Sequence, residues 1–287
     1  MLAYFTLIVS IICICWTRSE SAVDFVQVAP QDMKSLSFGL SICIMEGSVS
    51  YFKGVTGYLT PMDCAVLSYF TEGAAMTWKD QDKESRNSDG IIYAETGSFK
   101  GLSSHVIAHA AEHYGVPALI YAHDIFDGGT GISLTTGNKS IWDSDVAGFE
   151  SAFQNESTVA PTRLEEFYTN VKRNRLQRTI LPIAGPSAET LRIHDNDYLD
   201  LVFLDGDHTY QGTLKDLIAV WPKLKPGAWL LGHDCLPIPV ADSVQESLQD
   251  VNGVRRAVLD FAESRGLQPM LISDTHYMYA FEKPRNI

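Results

Sequence analysis

Four short apolar runs in this chain, residues 91–95, 118–124, 198–205 and 228–234, each end on an acid: Glu95, Asp124, Asp205 and Asp234. The first is followed by a glycine turn and then by Val106, Ile107, Ala110, Ala111 and Tyr114 at helical spacing, before the second run begins. That is one βαβ unit, and its handedness and short connections favour parallel strands. The same alternation, continued to the C-terminus, predicts one open α/β sheet with helices on both faces. Ligands of such sheets bind outside the carboxyl ends of the strands, so the four acids should line one crevice. Any one of them also reads as a helix cap or a solvated loop acid; four together favour a site.

The remaining elements fit this frame. Thr60-Pro61 opens a helix with Met62, Ala65, Val66 and Tyr69 on one face, inside a helical preface spanning residues 23–89. The polar stretch 79–90 closes that preface, and the α/β domain runs over 90–287. Thr162 and Glu165 have capping-box spacing ahead of Leu164, Phe167, Tyr168 and Val171, and the cations at 172–175 suit the dipole at that helix's C-terminal end. Residues 179–184 form a strand candidate. Leu214, Leu217, Ile218 and Trp221 mark a helix stopped by a Lys225-Pro226-Gly227 turn. A helix over 244–265 and a closing strand pair at 269–273 and 277–281 complete the pattern. The Gly/Ser/Thr/Asn/Asp-rich segment 126–160 is too long for a plain connector and reads as a lid or functional loop.

A net charge of -13 repels a phosphate backbone and argues against nucleic acid as partner. The five cysteines show no CxxC pair or metal-finger spacing. Residues 2–16 are apolar, short for a bilayer span and long enough for a signal-peptide core, yet no Lys or Arg precedes them. Residues 1–22 therefore read as a signal, an anchor or a buried helix. The sequence leaves the compartment and oligomeric state open, and any membrane association would run through that segment alone.

At the glycine turn, the unpaired N–H groups of the following helix can hold a polar or anionic ligand. The turn lacks the central glycine of G-x-G-x-x-G, which disfavours a dinucleotide and suits something less bulky, such as an amino-acid tail. Asp124, at the end of the second strand, fits a bidentate acceptor for ribose hydroxyls. His208 reads either as a general base or as a helix-start histidine bonded to Asp207 or the backbone. His105, His109 and His113 repeat every four residues, a spacing that favours a partly exposed helix face over a metal stripe.

Three motifs carry a resemblance to a known family: Glu95-Thr96-Gly97-Ser98-Phe99-Lys100-Gly101-Leu102-Ser103, Asp205-Gly206-Asp207-His208-Thr209-Tyr210, and Gly232-His233-Asp234. Together they resemble the class I S-adenosylmethionine-dependent methyltransferases. Within that class they are similar to macrocin-type O-methyltransferases and cephalosporin hydroxylase-like proteins, over roughly residues 90–283. The resemblance implies a Rossmann-like three-layer sandwich whose mostly parallel sheet has seven strands, one antiparallel near the C-terminus. It implies that Glu95, Gly97, Ser98, Gly101 and Ser103 surround the methionine part of the cofactor. By the same likeness Asp124 holds the ribose, Ser187 lies near the adenine, and Asp205 belongs to the cofactor-binding set. It further implies a small-molecule hydroxyl as acceptor, His208 as base, and a Mg²⁺ site at Asp205, His233 and Asp234. The usual neighbour at position 233 is an acid or amide, so His233 departs from the pattern. Two other classes stay open on the sequence: a nucleotide-dependent oxidoreductase, and a non-catalytic cofactor-binding protein of the same fold.

Overall fold

The computed structural model describes residues 23–29, 55–84, 86–126, 162–236 and 253–285. The segment 1–22 and, apart from Phe126, the 126–160 insertion lie outside the described residues, as do positions 244–252 of the expected helix. Among the described residues, no helix is long and apolar enough to cross a membrane.

The strands are β1 (Val26–Val28), β2 (Ile91–Thr96), β3 (Ala118–Asp124), β4 (Ile180–Ala184), β5 (Leu199–Leu204), β6 (Leu224–Gly232), β7 (Met270–Ile272) and β8 (Tyr279–Glu282). The helices are α1 (Pro61–Asp80), α2 (Leu102–His113), α3 (Arg163–Arg173), α4 (Tyr210–Val220) and α5 (Gly253–Arg265), with a single turn at Ser187–Thr190. They build one eight-stranded sheet in the order β1-β7-β8-β6-β5-β2-β3-β4. Only β8 runs antiparallel to its neighbours. β2 to β8 supply the seven strands that the resemblance implies, and the count is corrected to eight by β1. Three residues are too few for alternation to show, and β1 is held by parallel pairing with β7 at the sheet edge.

The chain winds outward from β2 through β3 to β4, then returns to β5 on the other side of β2. The order reverses between β2 and β5, which is where an open α/β sheet opens its crevice. All six residues of β2 are buried, as expected of a strand covered on both faces. One face packs Val106 and Ile107 of α2 with Val66, Leu67 and Phe70 of α1. The other packs Leu217 and Val220 of α4 with Val258 and Phe261 of α5. Each such side chain contributes about 1.5–3 kcal/mol when fully buried, so helix packing, more than local propensity, holds the crevice walls in place.

The expected capping box forms at Thr162/Glu165, and a second, not anticipated, forms at Thr60/Asp63. The expected Lys225-Pro226-Gly227 turn is instead an irregularity inside β6: Leu199 pairs with Leu224, but Leu201 pairs with Trp229. Gly227, at φ +80°, absorbs the extra residues as a bulge. Pro182 lies in β4 at the sheet edge, where a missing N–H breaks no interior ladder. The histidine face of α2 is not uniformly exposed. His105 is buried, with Nδ1 2.6 Å from the Gly101 carbonyl and Nε2 3.4 Å from that of Asn170, so the three histidines form no shared ligand set.

Beneath β3, His123 Nε2 lies 3.0 Å from His194 Nε2, and His123 Nδ1 lies 2.9 Å from Thr190 Oγ1. Thr190 donates to the backbone carbonyls of Pro186 and Ser187, so its oxygen accepts from Nδ1–H of His123. His123 Nε2 then carries the lone pair and His194 donates to it; both rings are neutral. Burial, reinforced by the neighbouring ring, lowers His123 to about 3. Burial and Lys223 lower His194 to about 4. The unfolded rings titrate near pH 6.5, so the unfolded chain binds more protons below that value. Stability should therefore fall as pH drops from about 6.5 toward 4, by roughly 3 kcal/mol for each ring in urea unfolding. His194→Gln keeps a donor for His123 but cannot take up the proton and should show a shallower fall; equal slopes would contradict the pairing.

Candidate active site

Four parallel strand ends are tied side by side by backbone hydrogen bonds. Gly97 N–H donates to His123 O (2.9 Å), Asp205 N–H to Thr96 O (3.1 Å) and His233 N–H to Leu204 O (3.1 Å). This ladder sets the spacing of every acid at the crevice. Gly97 has φ +74°, and a Cβ there would lie 1.9 Å from Asp205 O. The glycine thus lets the ends of β2 and β5 meet, so its first service is to the protein's own backbone and not to a ligand. Gly101, at φ +91°, is the N-cap of α2.

On the β2 side, Glu95 is fully buried; Ser104 donates to Oε1, and Tyr93 OH donates to Oε2 at 3.3 Å. Burial raises the Glu95 pKa, opposed by hydrogen bonds from Ser103, Ser104, Ser98 and Tyr93. The Asp124 carboxylate accepts from Phe99 N–H and Phe126 N–H, both at 2.7 Å, which fixes its plane at the mouth of the turn. Ser187 donates to both oxygens of Asp216 on α4, at 2.7 and 2.8 Å. Burial pushes Asp216 up to about 7.

On the β5–β6 side, His208 Nε2 lies 3.4 Å from Asp205 Oδ1 and 3.2 Å from Asp234 Oδ2. His233 Nδ1 lies 3.5 and 3.3 Å from the same two oxygens. Asp207, offered by the sequence as a partner for His208, instead accepts from Thr209 N–H at 2.9 Å. Candidate ligand atoms of Asp205, His208 and Asp234 lie within 4.8 Å of one another, and so do those of His233, Asp234 and His276. Asp234 adopts φ +57°, a conformation tolerated at functional turns, and is shared by both groups. Burial disfavours charge on His233, but Asp205, Asp234 and Asp63 outweigh it and raise its pKa to about 10. For His208, too, burial is overcome by Asp205 and Asp234, and its pKa is raised.

Two participants were not singled out by the sequence. Asp63, on the first turn of α1, is completely buried and places Oδ2 3.5 Å from His233 Nε2. His276, in the turn between β7 and β8, has its Nε2 3.9 Å from Asp234 Oδ1. The Thr60-x-x-Asp63 spacing is that of a capping box, but nothing local reveals that this helix start faces the end of β6. Beside these residues opens a cavity of about 550 Å³ lined by Thr60, Pro61, Met62, Asp274, Thr275, His276 and Tyr277.

The sheet with its reversal between β2 and β5, the glycine turn and the acid-tipped strands define a Rossmann-like class I methyltransferase fold. Residues 94–235, from the end of β2 to just past β6, match the model of a family described as methyltransferase domain. That match covers 142 of the 287 residues and identifies this stretch as similar to a methyltransferase domain. Solved structures share the fold. The O-methyltransferase NovP aligns with TM-score 0.55 at 14% identity, over 87% of this chain and 98% of its own. TomG from Streptomyces achromogenes, an O-methyltransferase in complex with SAM, aligns at 0.51 and 13%, over 88% and 90%. Cofactor-bound Rv0187 from MTB aligns at 0.51 and 14%, over 88% and 91%. No curated protein sequence matches the chain.

Proposed function

We propose that this protein transfers the methyl group of S-adenosylmethionine to a hydroxyl oxygen of a small molecule. The observation that carries the reading is the convergence, at one reversal of strand order, of two differently equipped walls. The β2–β3 wall offers a buried carboxylate ringed by hydroxyls and an oriented Asp124. The β5–β6 wall offers an imidazole, His208, set against two carboxylates.

When bound, S-adenosylmethionine supplies an electrophilic methyl group on a sulfonium sulfur. Glu95, with Ser98 and Ser103, gives the methionine end a polar floor next to Gly97 and Gly101 of the turn. Asp124, its carboxylate plane set by Phe99 N–H and Phe126 N–H, is the acceptor placed for the two ribose hydroxyls. Ser187 and Asp216 form a polar pair that suits the adenine edge, and Asp205 lies against the turn between the two walls. His208 would take the proton of an acceptor hydroxyl held in line with that methyl group. Most of the acceleration comes from holding donor and acceptor in line.

The acceptor enters through the open groove between the start of α1 and the β7–β8 turn. The reading includes a divalent cation held by Asp205, His233 and Asp234, supported by the approach of His233 Nδ1 to both carboxylates. The His233 side chain is 3% exposed, and neither of its ring nitrogens makes a hydrogen bond of good geometry. Such an ion would lower the pKa of an acceptor hydroxyl.

The test is a screen with S-adenosylmethionine labelled in its methyl group, the full chain and a panel of phenols, catechols and sugar alcohols, with and without divalent cations. Label should appear on an acceptor oxygen. Label found only on nitrogen or carbon acceptors would overturn the O-methyl reading.

A further inference from the structure

We propose that the cation site prefers a borderline transition-metal dication of the Zn²⁺/Co²⁺ type to Mg²⁺, with Asp63 as the positioning residue that aims His233 at it. The inference rests on the proposed cation site and deepens it.

The first ground is donor chemistry. Mg²⁺ favours oxygen donors and keeps much of its water, whereas an imidazole nitrogen suits zinc, cobalt, nickel or iron. Here the residue between the two acids is a histidine, and its ring is sealed from solvent.

The second ground is the orientation of that ring. Asp63 is held rigid by three donors: Thr60 N–H and Thr60 Oγ1–H at 2.7 Å on Oδ2, and His276 N–H at 2.8 Å on Oδ1. Its Oδ2 lies 3.5 Å from His233 Nε2, on the side of the ring away from Nδ1, which faces Asp205 and Asp234 and would give up its proton when an ion binds. A carboxylate behind a ligating histidine fixes its tautomer and raises its basicity as a ligand.

The third ground is spacing. Donors bonded at about 2.0–2.1 Å stand about 3.3 Å apart around a tetrahedral ion and about 2.9 Å apart around an octahedral one. His233 Nδ1 lies 3.5 Å from Asp205 Oδ1 and 3.3 Å from Asp234 Oδ2, close enough for one ion to meet all three donors.

The experiment uses the untagged full chain stripped with a chelator. Co²⁺ is titrated by its visible absorption, then Zn²⁺ and Mg²⁺ compete for it, and S-adenosylhomocysteine binding is measured on the same preparations. One equivalent of Co²⁺ should bind, with Mg²⁺ weaker by roughly a hundredfold or more. His233→Asp should shift the preference toward Mg²⁺, and Asp63→Asn should weaken Co²⁺ by about 10- to 100-fold while the far-UV spectrum is kept. Equal affinity for Mg²⁺, or a preference unchanged by His233→Asp, would overturn the proposal. Absence of any ion binding would overturn it too: if S-adenosylhomocysteine still binds, the methyltransferase reading stands, and if neither binds to folded protein, that reading falls as well.

Discussion

Replacing His208 by alanine is expected to lower methyl transfer by about 100- to 10,000-fold, with affinity for S-adenosylhomocysteine unchanged. The size is that of losing a general base, and among the described residues His208 is the imidazole set against both Asp205 and Asp234. Its side chain is 41% exposed, against 3% for His233. The variant separates the two roles that the sequence left open for this residue. Thr209, and not His208, caps α4, its hydroxyl accepting from Gly212 N–H at 3.0 Å. Loss of the imidazole therefore leaves the start of the helix intact. An unchanged rate in His208→Ala would show that the proton leaves by another route. A lowered melting temperature with a normal rate would return His208 to a structural part.

The second large effect is expected at Gly97. Alanine there would carry its Cβ to 1.9 Å from the Asp205 carbonyl oxygen at a φ of +74°. Either the turn abandons its left-handed conformation or β5 moves away from β2, and both break the Asp205–Thr96 backbone bond. The strain alone costs about 1–3 kcal/mol, and with the clash a loss of about 3 kcal/mol or more is expected in urea unfolding. Because this contact sets the separation of the two walls, S-adenosylhomocysteine affinity should fall with it. A stable Gly97→Ala protein with normal affinity would show that the spacing of β2 and β5 does not govern the site.

The parts of the fold that were legible in the sequence are those dictated by local chemistry. The run at 118–124 is β3 residue for residue, and Thr162 with Glu165 forms the capping box that its spacing announces. Buried parallel strands read as unbroken apolar runs, so β2 and β5 were plain too. The sequence was least informative where tertiary contacts decide. β1 is a strand only because β7 lies beside it, and the Lys225-Pro226-Gly227 stretch joins β6 because pairing with β5 and β8 overrides its turn chemistry.

The candidate site divides along the same line. Glu95, Asp124, Asp205 and Asp234 could be placed at strand ends from periodicity alone. Asp63 and His276 lie outside residues 94–235 and approach His233 and Asp234 only once α1 and the β7–β8 turn are packed. A capping aspartate looks the same in sequence whether its second oxygen meets water or a buried imidazole. The resemblance places Gly97 beside the methionine part of the cofactor; the structure shows its missing side chain making way first for the neighbouring strand.

The central claim is that one crevice at the β2–β5 reversal receives a sulfonium cofactor. Calorimetric titration of the purified full chain with S-adenosylhomocysteine, and separately with NAD, tests it most directly. The account predicts one equivalent of S-adenosylhomocysteine bound, weakened by Asp124→Ala, and no heat from NAD. Binding of NAD without S-adenosylhomocysteine, or S-adenosylhomocysteine affinity indifferent to Asp124→Ala, would contradict it.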